Sequence, residues 1–129
     1  MILIVGGRAS GKGDFAAQEL GVRTVAKGGE DSIEDIMDGQ WDCLRDVHLL
    51  VRRLMAEGRD PLSFMEELFE KRPEGVFITD EIGCGIVPVE KEERLWRENA
   101  GRCGCMAAAR AEKVVRLICG TAVYIKGER

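Results

Sequence analysis

The chain is short of several things, and each shortage narrows what it can be. No apolar run approaches the ~20 residues of a membrane-spanning helix, and no signal peptide precedes the first apolar stretch. Basic charge is not in surplus: 19 Lys and Arg against 23 Asp and Glu give a formal net charge of −4 and a pI near 5.1. That balance argues against nucleic acid or an anionic membrane surface as a partner. The five cysteines are odd in number and lack C-x-x-C spacing, which fits a reducing cytosol better than a disulfide framework. Cys103 and Cys105 stand two apart on a predicted helix, so they do not face each other, and ordinary small-residue packing is the reading there. Repeats and low-complexity segments are lacking, and histidine occurs once, at His48. Together these features suggest a cytoplasmic, soluble protein of one domain, residues 1–129, with a modest core.

What is present begins at the first residue. Met1-Ile2-Leu3-Ile4-Val5 is an unbroken apolar run, as expected of a central parallel strand buried on both faces. Gly6-Gly7-Arg8-Ala9-Ser10-Gly11-Lys12 follows with the spacing G-x-x-x-x-G-K, and Asp14 to Leu20 then supplies good helix formers. Strand, glycine loop and helix N-terminus in that order are the setting a phosphate-binding loop requires. Its backbone N–H groups turn inward around an anion and the helix dipole adds positive charge there. Lys12 would reach the terminal phosphates, and Arg8 either neutralises a phosphate or is solvated. The residue after the lysine, Ser or Thr in the common form of the motif, is Gly13, so one hydroxyl ligand for Mg²⁺ is missing.

Further along, Gly21 reads as a helix C-cap and Val22 to Ala26 as a short second strand. Lys27 to Gln40 is polar and acidic, with a helical turn at Ser32 to Met37 that Ser32 caps. From Trp41-Asp42, the residues Leu44, Val47, His48, Val51, Leu54 and Met55 recur at three- and four-residue steps and predict one helix. Arg45, Arg52 and Arg53 then fall on its wet side. Asp60-Pro61 resembles an N-cap followed by proline at the first helical position, opening a helix with the stripe Phe64, Met65, Leu68 and Phe69. Gly75 to Thr79 is a second buried strand, Glu90 to Ala111 a long helix, and Val114 to Cys119 with Ala122 to Lys126 a closing strand pair. Trp41 and Trp96 read as packing residues, with base stacking open to Trp41. Buried strands alternating with helices predict an α/β fold, P-loop NTPase-like, with a mostly parallel sheet covered by helices on both faces.

The second chemical feature is where the Gly75 strand ends. An apolar strand finishing in Asp80-Glu81 is what a phosphoryl-transfer site uses to hold Mg²⁺, directly or through water. Ligands of parallel sheets sit beyond the C-terminal strand ends. Lys12 and the pair Asp80-Glu81 should therefore face one crevice. The next loop, Ile82 to Pro88, has two glycines permitting close backbone approach and an apolar stretch, Ile86-Val87-Pro88, beside the carboxylates.

These segments carry a resemblance. D-E-I-G-C-G-I-V-P at Asp80 to Pro88, a long helix containing R-E-N-A-G-R, and the strands V-V-R-L-I-C-G and A-V-Y-I-K-G look like the C-terminal half of the adenosylcobinamide kinase/adenosylcobinamide-phosphate guanylyltransferase family. The opening G-G-R-A-S-G-K-G is similar to that family's phosphate loop. The resemblance implies a nucleotide-binding transferase of cobalamin biosynthesis. Such an enzyme phosphorylates the aminopropanol arm of adenosylcobinamide, a corrinoid, and then transfers GMP from GTP to that phosphate.

Carried over residue by residue, the resemblance implies that Gly6, Gly7, Arg8, Ala9, Ser10, Gly11, Lys12 and Gly13 hold the phosphates of ATP or GTP. Lys12, Asp80 and Glu81 would be catalytic, with Asp80 on Mg²⁺. Gly83, Gly85, Ile86, Val87 and Pro88 would line the corrinoid side. The family tends to assemble through its helices, which leaves a homo-oligomer open.

The middle departs from the pattern. Family members carry, after the second strand, a histidine that takes GMP covalently; here Gln40 is reached without one. Asp42-Cys43-Leu44 echoes the family's D-C-L, but without an apolar strand before it. His48 lies further on, read either as a packing residue on the apolar helical face or as a relocated guanylylation site. Gly13 and the missing segment also admit a different class of function. In that reading the chain is a catalytically weakened relative that binds nucleotide or corrinoid and serves a regulatory or partner role.

Overall fold

The apolar run at the chain start does form the central strand. In a computed structural model, which describes residues 1–82 and 90–128, β1 spans Ile2–Gly6 and lies between β4, Val76–Asp80, and β5, Lys113–Ile118, parallel to both. Having neighbours on both edges and packed layers on both faces is why every residue of the run can be apolar. The sheet order is β2-β3-β4-β1-β5-β6, with β2 at Val25–Lys27, β3 at Cys43–Arg45 and β6 at Thr121–Lys126. Only β6 is antiparallel, joined to β5 by a tight turn in which Cys119 and Gly120 both have positive φ.

The α/β class and the helices on both faces follow from alternation along the strands. On one face Leu3, Leu44, Phe77 and Val114 pack under α2 (Ile33–Asp38), α3 (Val47–Ala56), α4 (Pro61–Lys71) and α5 (Lys91–Arg110). On the other, Ile4, Cys43, Ile78 and Val115 meet Phe15 and Ala16 of α1, Lys12–Glu19. Phe77 centres the larger core, fully buried and edge-on to Trp41 and Phe69 at 5.8 and 4.9 Å between ring centroids. Its burial contributes about 2–3 kcal/mol. Ser32 caps α2 by accepting the Asp35 N–H, and Asp60 caps α4 ahead of Pro61. Cys103 is buried and Cys105 exposed, so the C-x-C pair does face apart. Burial pushes the Cys103 thiol up to about 12.

Three expectations need correcting. The strand read at Val22 to Ala26 starts only at Val25, because the backbone N–H groups of Arg23 and Thr24 donate to the Asp42 carboxylate instead of to a strand neighbour. The helix read from Trp41 starts at Val47. Cys43 and Leu44 belong to β3, pairing with Val25 and Ala26 on one side and with Val76 and Phe77 on the other. Leu44 fitted the helical spacing only because a strand residue just before a helix can land on the same apolar side, and Asp46, at φ 57°, breaks the periodicity between them. Finally, Arg53 is not on a wet face: its guanidinium donates to the carbonyls of Gly28 and Asp31 and ties α3 to the segment after β2. Among the described residues no helix is long and apolar enough to cross a membrane.

Candidate functional site

The chain leaves β1 toward α1 on one face, whereas β3 and β4 are followed by helices on the other. Connections that part in this way open a crevice at the C-terminal strand ends, and the glycine loop sits in it. Gly6 must be glycine: a Cβ there would come 2.5 Å from Ser10 Oγ and 2.7 Å from the Leu117 carbonyl oxygen. Ala9 at φ 58° and Gly11 at φ 92° turn the loop through left-handed backbone into α1. The β5–β6 turn braces the loop from behind, with the Gly120 N–H donating to the Ser10 carbonyl at 2.9 Å. Gly13 differs from Gly6. A Cβ there meets nothing within 4 Å, so sterics do not account for the missing hydroxyl.

Lys12 turns back into the loop and is almost entirely buried, 8 % exposed. Its ammonium donates to the Gly7 carbonyl at 2.6 Å and to Ser10 Oγ at 3.3 Å, and lies 2.9 Å from Asp80 Oδ1. Strand β4 runs far enough to include Asp80 and sets it level with Gly6 of β1. The register of two parallel strands thus brings together two charges sixty-eight positions apart in sequence. An ammonium held by replaceable oxygen partners at the mouth of a phosphate-type loop is placed to exchange them for a phosphate.

Glu81 is not in that cluster. Successive residues at a strand end point to opposite faces, and Glu81 pairs with Arg116 of β5, its carboxylate oxygens 2.6 and 3.0 Å from Nε and Nη2. That pair borders a separate groove of about 350 Å³ behind the loop, beside Gly7 and Cys119. The expectation that both carboxylates face Lys12 holds for Asp80 alone.

The cleft in front of the loop has a volume of about 780 Å³ and holds Arg8, Lys12 and Arg45 against Asp14, Asp46 and Asp80. Arg45, placed on a wet helical side by sequence, closes β3 at this cleft instead. His48, on the first turn of α3, is buried at its inner wall. The Asp80 peptide N–H donates to Nδ1 at 3.2 Å, and Nε2 lies 3.5 Å from Asp80 Oδ2. Nδ1 therefore keeps its lone pair and the proton of the neutral ring is on Nε2. Burial pushes the imidazole below its ordinary range, Asp80 and Asp46 oppose that shift, and Lys12 adds to it. The Trp96 indole N–H donates to the His48 carbonyl at 2.8 Å and anchors this turn to α5.

Asp46, His48 and Asp80 each bring one ligand-type atom within 4.8 Å of the others. With Nδ1 occupied and a proton on Nε2, the carboxylates are the donors open to a cation. Sequence reasoning expected Lys12, Asp80 and the loop to share one crevice, and they do. It did not find Asp46 or the contact of His48 with Asp80, because both depend on the β3–α3 junction that the apolar periodicity hid. The residues expected on the corrinoid side, Gly83, Gly85, Ile86, Val87 and Pro88, lie outside the described residues.

No curated protein matches this chain. The model of one family, described as cobinamide kinase / cobinamide phosphate guanyltransferase, matches residues 42–125. The match takes in Asp46, His48, Asp80, Glu81 and the strands behind the loop, while the loop itself precedes it. With well over half of its length in that match and a parallel α/β sheet of P-loop NTPase type, the chain belongs to the cobinamide kinase / cobinamide phosphate guanyltransferase family.

Proposed function

We propose that the chain, acting as one unit over residues 1–129, binds ATP or GTP in the cleft and transfers its terminal phosphoryl group to a hydroxyl of adenosylcobinamide. The observation that carries this reading is the meeting of Lys12 and Asp80 at 2.9 Å in front of the glycine loop. Gly6 to Gly13 would wrap the phosphates with backbone N–H groups. Lys12 would leave Gly7 and Asp80 for the terminal phosphates, and Arg8 and Arg45 would face the charge that remains. Catalysis in such a site rests on positioning and charge.

The donor set fits Mg²⁺: Asp80 and Asp46 are hard carboxylate oxygens, and three acidic side chains in a cleft for polyphosphate call for a cation between them. Asp80 would hold the ion, with water in the position that Gly13 leaves open. Bound there, Mg²⁺ would neutralise phosphate charge. Glu81 would act from the groove side, fixing Arg116 behind the loop, and Gly83 to Pro88 would meet the corrinoid.

Guanylylation is the weaker half of this reading. A histidine attacks phosphorus through an unprotonated ring nitrogen, and that nitrogen of His48 faces the Asp80 peptide. The second reading, a weakened relative that binds nucleotide or corrinoid in a regulatory or partner role, is favoured by Gly13.

The test is transfer of γ-label from ATP or GTP to adenosylcobinamide with Mg²⁺. Labelled corrinoid is the expected product, reduced about 100-fold or more in Lys12→Ala, as for loss of one preorganised charge donor. Nucleotide binding without labelled corrinoid would favour the second reading. Binding of neither nucleotide nor corrinoid would exclude both.

A further inference from the structure

We propose that His48 is a positioning residue that holds Asp80 in place when Lys12 is drawn away to a phosphate. This inference rests on the nucleotide reading above. The Asp80 carboxylate is bracketed, with Lys12 Nζ 2.9 Å from Oδ1 and His48 Nε2 3.5 Å from Oδ2. Lys12 cannot serve Asp80 and a terminal phosphate equally, so nucleotide binding removes one bracket. Asp80, about one-fifth exposed, then keeps its orientation only if the other bracket is fixed.

His48 is fixed at three points. Its carbonyl takes the Trp96 N–H at 2.8 Å, its Nδ1 takes the Asp80 N–H at 3.2 Å, and its ring is buried between α3 and β4. The second contact also settles which nitrogen faces the carboxylate with a proton. One ring thus holds the backbone and the side chain of the same residue, and Nε2–H at 3.5 Å can close on Oδ2 as the complex tightens. Groups that orient metal-binding carboxylates in this way commonly change metal affinity 10–100-fold when removed.

Because the chain has one histidine, a long-range ¹⁵N–¹H correlation spectrum of the labelled protein at pH about 8, above the ordinary imidazole range, reports this ring alone. The Nε2–H tautomer is expected, and the Nδ1–H tautomer would overturn the proposal. Two variants separate positioning from packing. His48→Asn keeps an acceptor near the Nδ1 position and loses the distal donor, whereas His48→Gln places an amide N–H near the Nε2 position.

Isothermal titration with a non-hydrolysable ATP analogue, with and without Mg²⁺, is expected to show about tenfold weaker Mg²⁺-dependent binding for Asn. Gln should stay within about threefold of the parent, and neither variant should alter Mg²⁺-free binding. Asn matching the parent, or Gln failing as badly as Asn, would overturn the role of His48 while leaving the nucleotide reading intact. A parent protein that binds no analogue would instead overturn the nucleotide reading, and the role of His48 with it.

Discussion

The two rims of the sheet use the same side chains for opposite ends. At the N-terminal rim, Asp42 accepts the backbone N–H groups of Arg23 and Thr24. Arg72 donates to the carbonyls of Met37 and Gly39 beyond the end of α2 and stacks 4.2 Å over Trp41. The chain-terminal ammonium of Met1 donates to the Pro73 carbonyl at 2.7 Å. Asp42 and Arg72 line a second cleft of about 630 Å³, and the hydrogen bonds described here tie them to main-chain atoms of neighbouring segments. At the C-terminal rim Lys12 also holds a main-chain oxygen, the Gly7 carbonyl, but its charge is met by the Asp80 side chain, which His48 flanks in turn. What distinguishes the C-terminal rim is a buried cation paired with a carboxylate inside the cleft, a contact that an anionic ligand could exchange.

Breaking the comparison at the C-terminal rim, where the nucleotide is proposed to bind, should give the largest effect. Asp80→Asn is expected to lower phosphoryl transfer about 100-fold, the scale of a misplaced reacting group. Glu81→Gln, one residue along but across the sheet, should stay within about threefold. The Glu81–Arg116 pair is half-exposed and contributes at most about 1 kcal/mol of stability, so its denaturation midpoint should barely move. Equal losses of activity for the two would erase the distinction between cleft and groove.

Arg72→Ala tests the other rim and should do the converse. Loss of the carbonyl and ring contacts is expected to cost about 2–3 kcal/mol in urea denaturation, with nucleotide affinity unchanged. The smallest effect belongs to Asp42. The N–H groups of Arg23 and Thr24 hold its carboxyl below the ordinary range, so the folded state binds fewer protons than the unfolded one. The stabilisation is complete above the unfolded value of about 3.9 and fades as pH falls through the lower folded value. Thermal melts should therefore separate the parent from Asp42→Asn at pH 7 and converge toward pH 3.

Much of this was legible in residue order. The strand–glycine loop–helix unit could be read because a strand, a glycine spacing and a helix start are all local. The caps at Ser32 and Asp60 could be read because a side chain there reaches only two or three residues. β3 could not, since three residues carry no period of their own and are strand only because β2 and β4 flank them. Glu81 was misplaced because composition at a strand end does not say which face each residue takes. Alternation along the strand already forbids two neighbours from facing one crevice; which of the two faces Lys12 is what the packing around β4 decides.

Sequence by itself determined the α/β class, the loop, and the charges available to the site, because apolar period, glycine spacing and residue chemistry act within a few positions. Only the tertiary structure decided which charges meet. The parallel register of Gly6 with Asp80 put Lys12 and that carboxylate in one cleft. The left-handed turn at Asp46 brought His48 beneath them, and the strand pleat sent Glu81 to the far side. The pleat is a local alternation, but the contacts it leads to, Lys12 with Asp80, His48 with Asp80 and Glu81 with Arg116, are long-range, and no local pattern in the chain encodes them.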